Sequence, residues 1–298
     1  MALSIFTSGA AMSSTNALNK SNSILSTAME RLGTGKRINS AADDAAGLQI
    51  ATRLQGQVNG MGVAQRNVAD ATAMLQTAEG AFEEVTNILY RMKDLATQAA
   101  NDTNGSKERD ALQSESDELN KELGNILTKT KYAGESLIFS MGTNGTTFTK
   151  DGGKLGKAMS FQIGADSGEK LSLDLTKNNA TDATNLMKGL IDQFGLDTAT
   201  AGPTSVAKID LKTKAGDAIT SVNSALETVG TIRSTLGANI NRLGHTSANL
   251  ANMKDNTTLA LGNIRDADFA TEATSMTRNQ MLAQTSMSML KQANSMSG

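Results

Sequence analysis

Apolar positions recur along this chain with alternating spacings of four and three over two long stretches. Leu54, Met61, Ala64, Val68, Ala71, Leu75, Ala78, Phe82, Val85, Leu89, Met92, Ala96 and Ala99 form one stripe, broken early at Gln57. Leu211, Ala215, Ala218, Val222, Ala225, Val229, Ile232, Leu236, Leu243, Leu250, Met253 and Ala260 form the other, interrupted at Asn239 and Thr246. This is the a/d pattern of a coiled coil, and each stripe predicts roughly 45 to 50 residues of helix, on the order of 70 Å. A helix of that length needs a partner to cover its seam, and the matched lengths nominate each other as an antiparallel pair.

Shorter patterns fill the rest. A third helix is predicted from an N-cap at Ser106 to about Lys131, with Leu112, Leu119, Leu123 and Ile126 buried. Residues 140–203 turn Gly- and Thr-rich. There Phe161 and Ile163, the turn-like Asp166-Ser167-Gly168 and the alternating Leu171, Leu173 and Leu175 predict a β-hairpin. At the ends, Leu18, Leu25 and Leu32 lie seven apart, as do Phe269, Met276, Ala283 and Leu290. These amphipathic termini suit other helices as partners and in isolation would be largely disordered. The expected fold is mainly α, with long antiparallel coiled-coil helices from the two halves and a small β-hairpin region in the middle.

Composition supports thin helices over a thick globule. The 298 residues include 7 Phe, 2 Tyr and no Trp, against 15 Met. Aromatic material for a pocket is therefore scarce. A net charge of −2 argues against nucleic acid or an anionic membrane as the main partner. No apolar run is long enough to span a bilayer, and the opening residues lack the basic and apolar regions of a cleaved leader. The chain has no Cys and a single His, His245, so neither thiol chemistry nor a zinc site is expected. A single proline, Pro203, leaves the helices uninterrupted.

Candidate chemistry is thin. Asp43 and Asp44, set among alanines, point about 100° apart if helical and cannot share a proton as a catalytic dyad does. With a helix starting near Ser40 they would occupy its first turn, favoured by the helix dipole. Gly33, Gly35 and Gly47 around them suit a bend or a close approach, since no strand or GK[ST] makes them a phosphate loop. His245 reads as a surface histidine. Met276, Met281, Met287, Met289 and Met296, with no His or Cys beside them, read as adaptable packing at a self-interface and not as a metal stripe. No nucleophile, base or metal set converges, so no enzyme and no cofactor are expected.

RLGTGKRINSAADDAAGLQIATRL (31–54), LQTAEGAFEEVTNILYRMKDLATQAANDTN (75–104) and KYAGESLIF (131–139) resemble the amino-terminal region of bacterial flagellins. LGANINRLGHTSANL (236–250) and IRDADFATEATSMTRNQMLAQTSMSMLKQAN (264–294) resemble the carboxy-terminal region. The resemblance implies an extracellular filament subunit, exported without a cleaved signal peptide. It also implies an inner coiled-coil domain of residues 1–43 with 266–298, and a helical outer-wall domain of 44–265 carrying a short variable segment at about 140–203. Leu18, Leu25, Leu32, Arg37, Asn39, Asp43, Asp44, Phe269, Met276, Ala283 and Leu290 are implied to pack subunits together. Arg91, Leu95 and Glu115 match a motif contacted by the Toll-like receptor that senses flagellins. Further implied partners are other copies in a helical filament, the flagellar export apparatus, a flagellin chaperone, and the filament cap and junction proteins. The family usually continues with a further apolar stretch after Gln-Ala-Asn, where this sequence reads SMSG. A hook–filament junction protein is the runner-up, and a chemoreceptor-like signalling coiled coil the alternative from another class.

Overall fold

The computed structural model describes residues 9–141, 148–149, 153–175 and 210–297. Long helices dominate: α1 (Gly9–Thr34), α2 (Ala45–Ala99), α3 (Ser106–Lys129), α4 (Ala215–Arg265) and α5 (Phe269–Ser297). Among the described residues, three small antiparallel hairpins lie between α3 and α4: β1 (Lys131–Tyr132) with β2 (Glu135–Ser136), β3 (Ser140–Met141) with β4 (Phe148–Thr149), and β5 (Met159–Gln162) with β6 (Lys170–Leu173). Much of the variable segment expected at 140–203 lies outside the described residues. The chain divides into two compact units, one ending at residue 59 and resuming at 252, the other spanning 60–251. Those divisions fall inside α2 and α4, whereas the boundaries expected at 43/44 and 265/266 coincide with the two helix breaks.

In the 60–251 unit, every seam position expected from Met61 to Ala99 is buried, with Leu75, Phe82, Val85 and Leu89 fully so. Each such leucine or phenylalanine contributes about 1.5–3 kcal/mol by leaving water. α4 answers with Val222, Ala225, Val229, Ile232, Leu236 and Leu243. The two helices run antiparallel: Arg233 Nη2 meets Glu79 Oε1 at 2.7 Å, and further along Leu95, Ala96 and Ala99 share a cluster with Leu211, Ala215 and Ala218. Asn239 is buried in the seam at 8% exposure, and its Nδ2 donates to Thr235 O in its own helix at 2.8 Å. The seam therefore tolerates a polar residue that is hydrogen-bonded locally.

The third helix corrects the expectation in two ways. Ser106 is its first residue, capped by Gly105 without a side-chain bond, and its fully buried leucines are Leu123 and Leu127. Ile126 is only partly covered, and the buried face continues through Gln113, Ser116 and Asn120. Gln113 belongs there because its Oε1 accepts the backbone N–H of Leu211 at 2.7 Å, tying α3 to the start of α4. Leu112 and Leu119 pack against the Leu95 cluster from the side.

The β1–β2 turn carries Ala133 at φ +52° and Gly134 at φ +83°, a left-handed pair that delivers Leu137, Ile138 and Phe139 into full burial. The β5–β6 hairpin forms about the expected turn, pairing Phe161 with Leu171 and Met159 with Leu173. Leu171 and Leu173 are buried as the period of two required. The hairpin docks on α2 where Gly60 leaves room, since a Cβ there would stand 2.9 Å from that of Ala165, and Asn67 Nδ2 donates to Gln162 O at 3.2 Å.

Candidate assembly surface

α1 and α5 form an antiparallel pair, their joined ends marked by an ion pair between Arg31 Nη1 and Glu272 Oε1 at 2.9 Å. The residues that close this pair are small or polar: Ser21, Ala28, Asn279 and Ala283 are its buried positions. Short side chains let the helices approach but cover little apolar area. Larger residues are left outside, among them Met12 at 61% exposure, Phe269 at 59%, Met289 at 59% and Leu282 at 47%. Apolar side chains thus surround α5 on faces that its partner does not reach, the pattern of a helix enclosed on several sides.

Beside this pair, residues 35–44 run along 264–267 and join α1 to α2. Gly35, at φ +70°, ends α1 and turns the chain, donating to Arg31 O at 2.8 Å and accepting from Ala267 N at 3.0 Å. Arg37 N donates to Arg265 O at 2.7 Å, and its guanidinium Nη2 donates to Ile264 O at 2.9 Å. Asn39 Nδ2 donates to Lys36 O at 3.2 Å. Asp43 Oδ2 accepts from Asn39 N, Ser40 N and Ser40 Oγ at 3.1, 2.8 and 3.1 Å. The Ser40 and Asn39 backbone bonds, with the Ser40 hydroxyl, hold the Asp43 carboxyl below its ordinary pKa.

Asp44 does something else. Its Oδ1 accepts from Gly47 N at 2.8 Å while its backbone carbonyl accepts from Leu48 N at 2.9 Å, so it is the N-cap of α2. The helix begins at Ala45, not near Ser40. Gly47 completes the joint, because a Cβ there would collide with the Asp44 carboxylate and stand 2.7 Å from Ile38 Cδ1. Ile38 is 2% exposed as a result. A shallow groove follows, lined by Ala41, Ala45, Leu48, Gln49, Ile50 and Arg53.

All of the residues expected to pack subunits lie in this unit. Leu18, Leu25, Leu32, Met276 and Leu290 are partly covered by the helix pair, Ala283 is buried in it, and Phe269 is exposed near Gly35. Arg37 and Asp43 are exposed, while Asn39 and Asp44 are partly buried. Arg91 and Glu115, in the other unit, form an exposed pair with Nη2 to Oε1 at 2.6 Å. Leu95 differs from the surface contact expected of it: it is fully buried beneath them, its side chain turned into the α2–α3–α4 cluster. His245 is exposed.

Sequence reading missed Asp268 and Asp210. Asp268 caps α5, accepting from Ala270 N at 3.0 Å and Thr271 Oγ1 at 2.7 Å; Asp210 accepts from Lys212 N and Thr213 Oγ1 ahead of α4. The threonine contacts come first among the causes that hold both carboxyls below the ordinary value. The signal was present as Asp-x-x-Thr before each helix. Among the described residues, no cluster of His, Asp and Glu could hold a metal ion, and no helix is long and apolar enough to cross a membrane.

Residues 5–143 match the family model for the bacterial flagellin N-terminal helical region, and residues 219–298 match that for the C-terminal helical region. Flagellin A of Vibrio anguillarum is 34% identical over 367 aligned residues, covering 98% of this chain and 97% of that protein. Polar flagellin B/D of Vibrio parahaemolyticus serotype O3:K6 is also 34% identical, over 380 residues, with the same coverage. These alignments are longer than the 298-residue chain, so the relatives carry additional residues. Among solved structures, Bacillus cereus flagellin shares 29% identity and a TM-score of 0.45, covering 62% of this chain and 88% of its own. A putative flagellar hook-associated protein from Vibrio parahaemolyticus shares the fold, with a TM-score of 0.54 at 14% identity, over 75% of this chain and all of its own.

Proposed function

This chain belongs to the bacterial flagellins, the structural subunits that polymerise into the flagellar filament outside the cell, and from that premise we propose how it assembles. The α1–α5 pair, with the 35–44 joint and its groove, is the surface that neighbouring copies cover. One observation carries this reading: the pair closes on Ser21, Ala28, Asn279 and Ala283 and leaves larger apolar residues in water. Contacts between unlike patches on successive copies do not close on themselves, and so extend into an open helical polymer. The formal net charge of −2 imposes little repulsion on dense packing. Leu282→Glu tests it. The residue is 47% exposed in the single chain, so the variant should melt within about 0.5 kcal/mol of the unsubstituted protein yet fail to extend filament seeds. Normal extension by a folded Leu282→Glu chain would refute the assignment.

The same family membership supports finer roles. The subunit passes unfolded through the flagellar export apparatus, escorted by a flagellin chaperone, and is placed between junction and cap proteins; its role is structural and not catalytic. Arg91 and Glu115 offer an exposed charged pair to a Toll-like receptor, with Leu95 acting from below by holding α3 in place. Monomer binding to the receptor ectodomain, measured by surface plasmon resonance, should weaken strongly in Arg91→Ala. Leu95→Ala should instead lower subunit stability by about 2–5 kcal/mol, as cavity formation does. Unchanged receptor affinity in Arg91→Ala would remove the receptor role.

A further inference from the structure

The methionines are sorted between the two compact units. Met61, Met74 and Met92 are at most 5% exposed and lie in the 60–251 unit. Met12, Met29, Met253, Met281, Met287 and Met289 are 44–61% exposed, and all six lie in the unit that carries the assembly surface. The chain contains no Cys and no Trp. Its thioethers are therefore the side chains most readily oxidised, and the accessible ones sit where copies are to pack.

We propose that Met281, Met287 and Met289 on α5 form an oxidative modification site of the free subunit: a hydroperoxide converts them to sulfoxides, and the modified subunit is excluded from the growing filament. This rests on the assembly surface proposed above. The step balances as a two-electron oxygen transfer. A sulfur lone pair attacks one peroxide oxygen, the S–O bond forms as the O–O bond breaks, and the second oxygen leaves with the proton as water when the oxidant is hydrogen peroxide. The sulfoxide is polar and a strong hydrogen-bond acceptor. Burying it against apolar neighbours without a donor opposes the packing that drives polymerisation. Once a copy is assembled, the same burial shields its thioethers, so sensitivity is confined to subunits not yet in the filament. Reduction by methionine sulfoxide reductases restores the thioether.

The test treats the full-length monomer and preformed filaments with dilute hydrogen peroxide, maps each methionine by peptide mass spectrometry, and measures extension of untreated seeds. In the monomer, Met281, Met287 and Met289 should oxidise on the order of tenfold faster than Met61, Met74 and Met92, which react only when the fold opens. In filaments the three should be protected. Treated monomer should lose seed extension and regain it after incubation with both reductases and dithiothreitol. In a Met281→Leu, Met287→Leu, Met289→Leu variant, peroxide should leave the rate of seed extension where it was before treatment, whatever that variant's own untreated rate. Should that variant fail to assemble, reductase rescue of the unsubstituted chain still decides the matter. Undiminished extension by monomer carrying sulfoxide at all three positions would overturn the proposal, as would equal oxidation of buried and exposed methionines. Failure of untreated monomer to extend seeds would instead bring down the assembly reading beneath it.

Discussion

Asp43 and Asp44 are adjacent but organise different pieces of backbone. Asp43 reaches back to Asn39 and Ser40, fastening the joint, while Asp44 reaches forward to Gly47, starting α2. The sequence placed both near a helix start, correct in kind but early in position, because Ser40 and Asp44 are both good caps and apolar periodicity does not separate them. What decided between them was Asp43's bond to Ser40, which uses that serine in the loop. The lowered pKa values of Asp43, Asp210 and Asp268 give a pH signature. Each carboxylate is bound more tightly by the folded chain than by the unfolded one. Its contribution is thus fully present above the unfolded value of about 3.9 and is lost as pH falls through the lower folded value. The melting temperature of the subunit should hold from pH 7 to 5 and decline below about pH 4. The gap between the unsubstituted chain and Asp43→Asn should close over the same acid range. A gap as wide at pH 3 as at pH 7 would contradict this role for Asp43.

At the scale of elements, the seam of α2 was readable because its own buried positions in the 60–251 unit are apolar from Met61 to Ala99. α4 was readable only to Leu250. Beyond it, Met253 is 44% exposed and Ala260 is exposed, while Leu261 is 4% exposed. The step from Leu250 to Leu261 is an eleven-residue interval, which follows the natural turn of a straight helix and not the seven-residue repeat of a left-handed supercoil. The change comes where α4 passes from one unit to the other, at 251/252, and takes up different neighbours. α3 misled for another reason: Gln113, Ser116 and Asn120 occupy its buried face, so hydrophobicity alone put that face one residue away. The terminal pair hid its true seam in the same way, behind small residues. Helix capping gives an element-level prediction. Asp44→Ala should cost about 1 kcal/mol in urea unfolding, within the 0.5–2 kcal/mol range of N-cap removals. A change below a few tenths would show that the cap contributes little to α2.

For the whole molecule, the two units divide the work. The 60–251 unit buries most of its large apolar residues internally, whereas the α1–α5 pair of the terminal unit closes on small ones and leaves methionine, leucine and phenylalanine outside. Fold and family were legible from the long stripes and the terminal motifs. The contacts between copies were not, because a surface residue's partner in another copy leaves no periodicity of its own. The central claim is that the terminal helices are incomplete until other copies cover them. Negative-stain electron microscopy of seeded monomer, intact and lacking residues 1–40, tests it directly. Long filaments from the intact chain and none from the deletion are predicted; filaments of equal length from the deleted chain would contradict it.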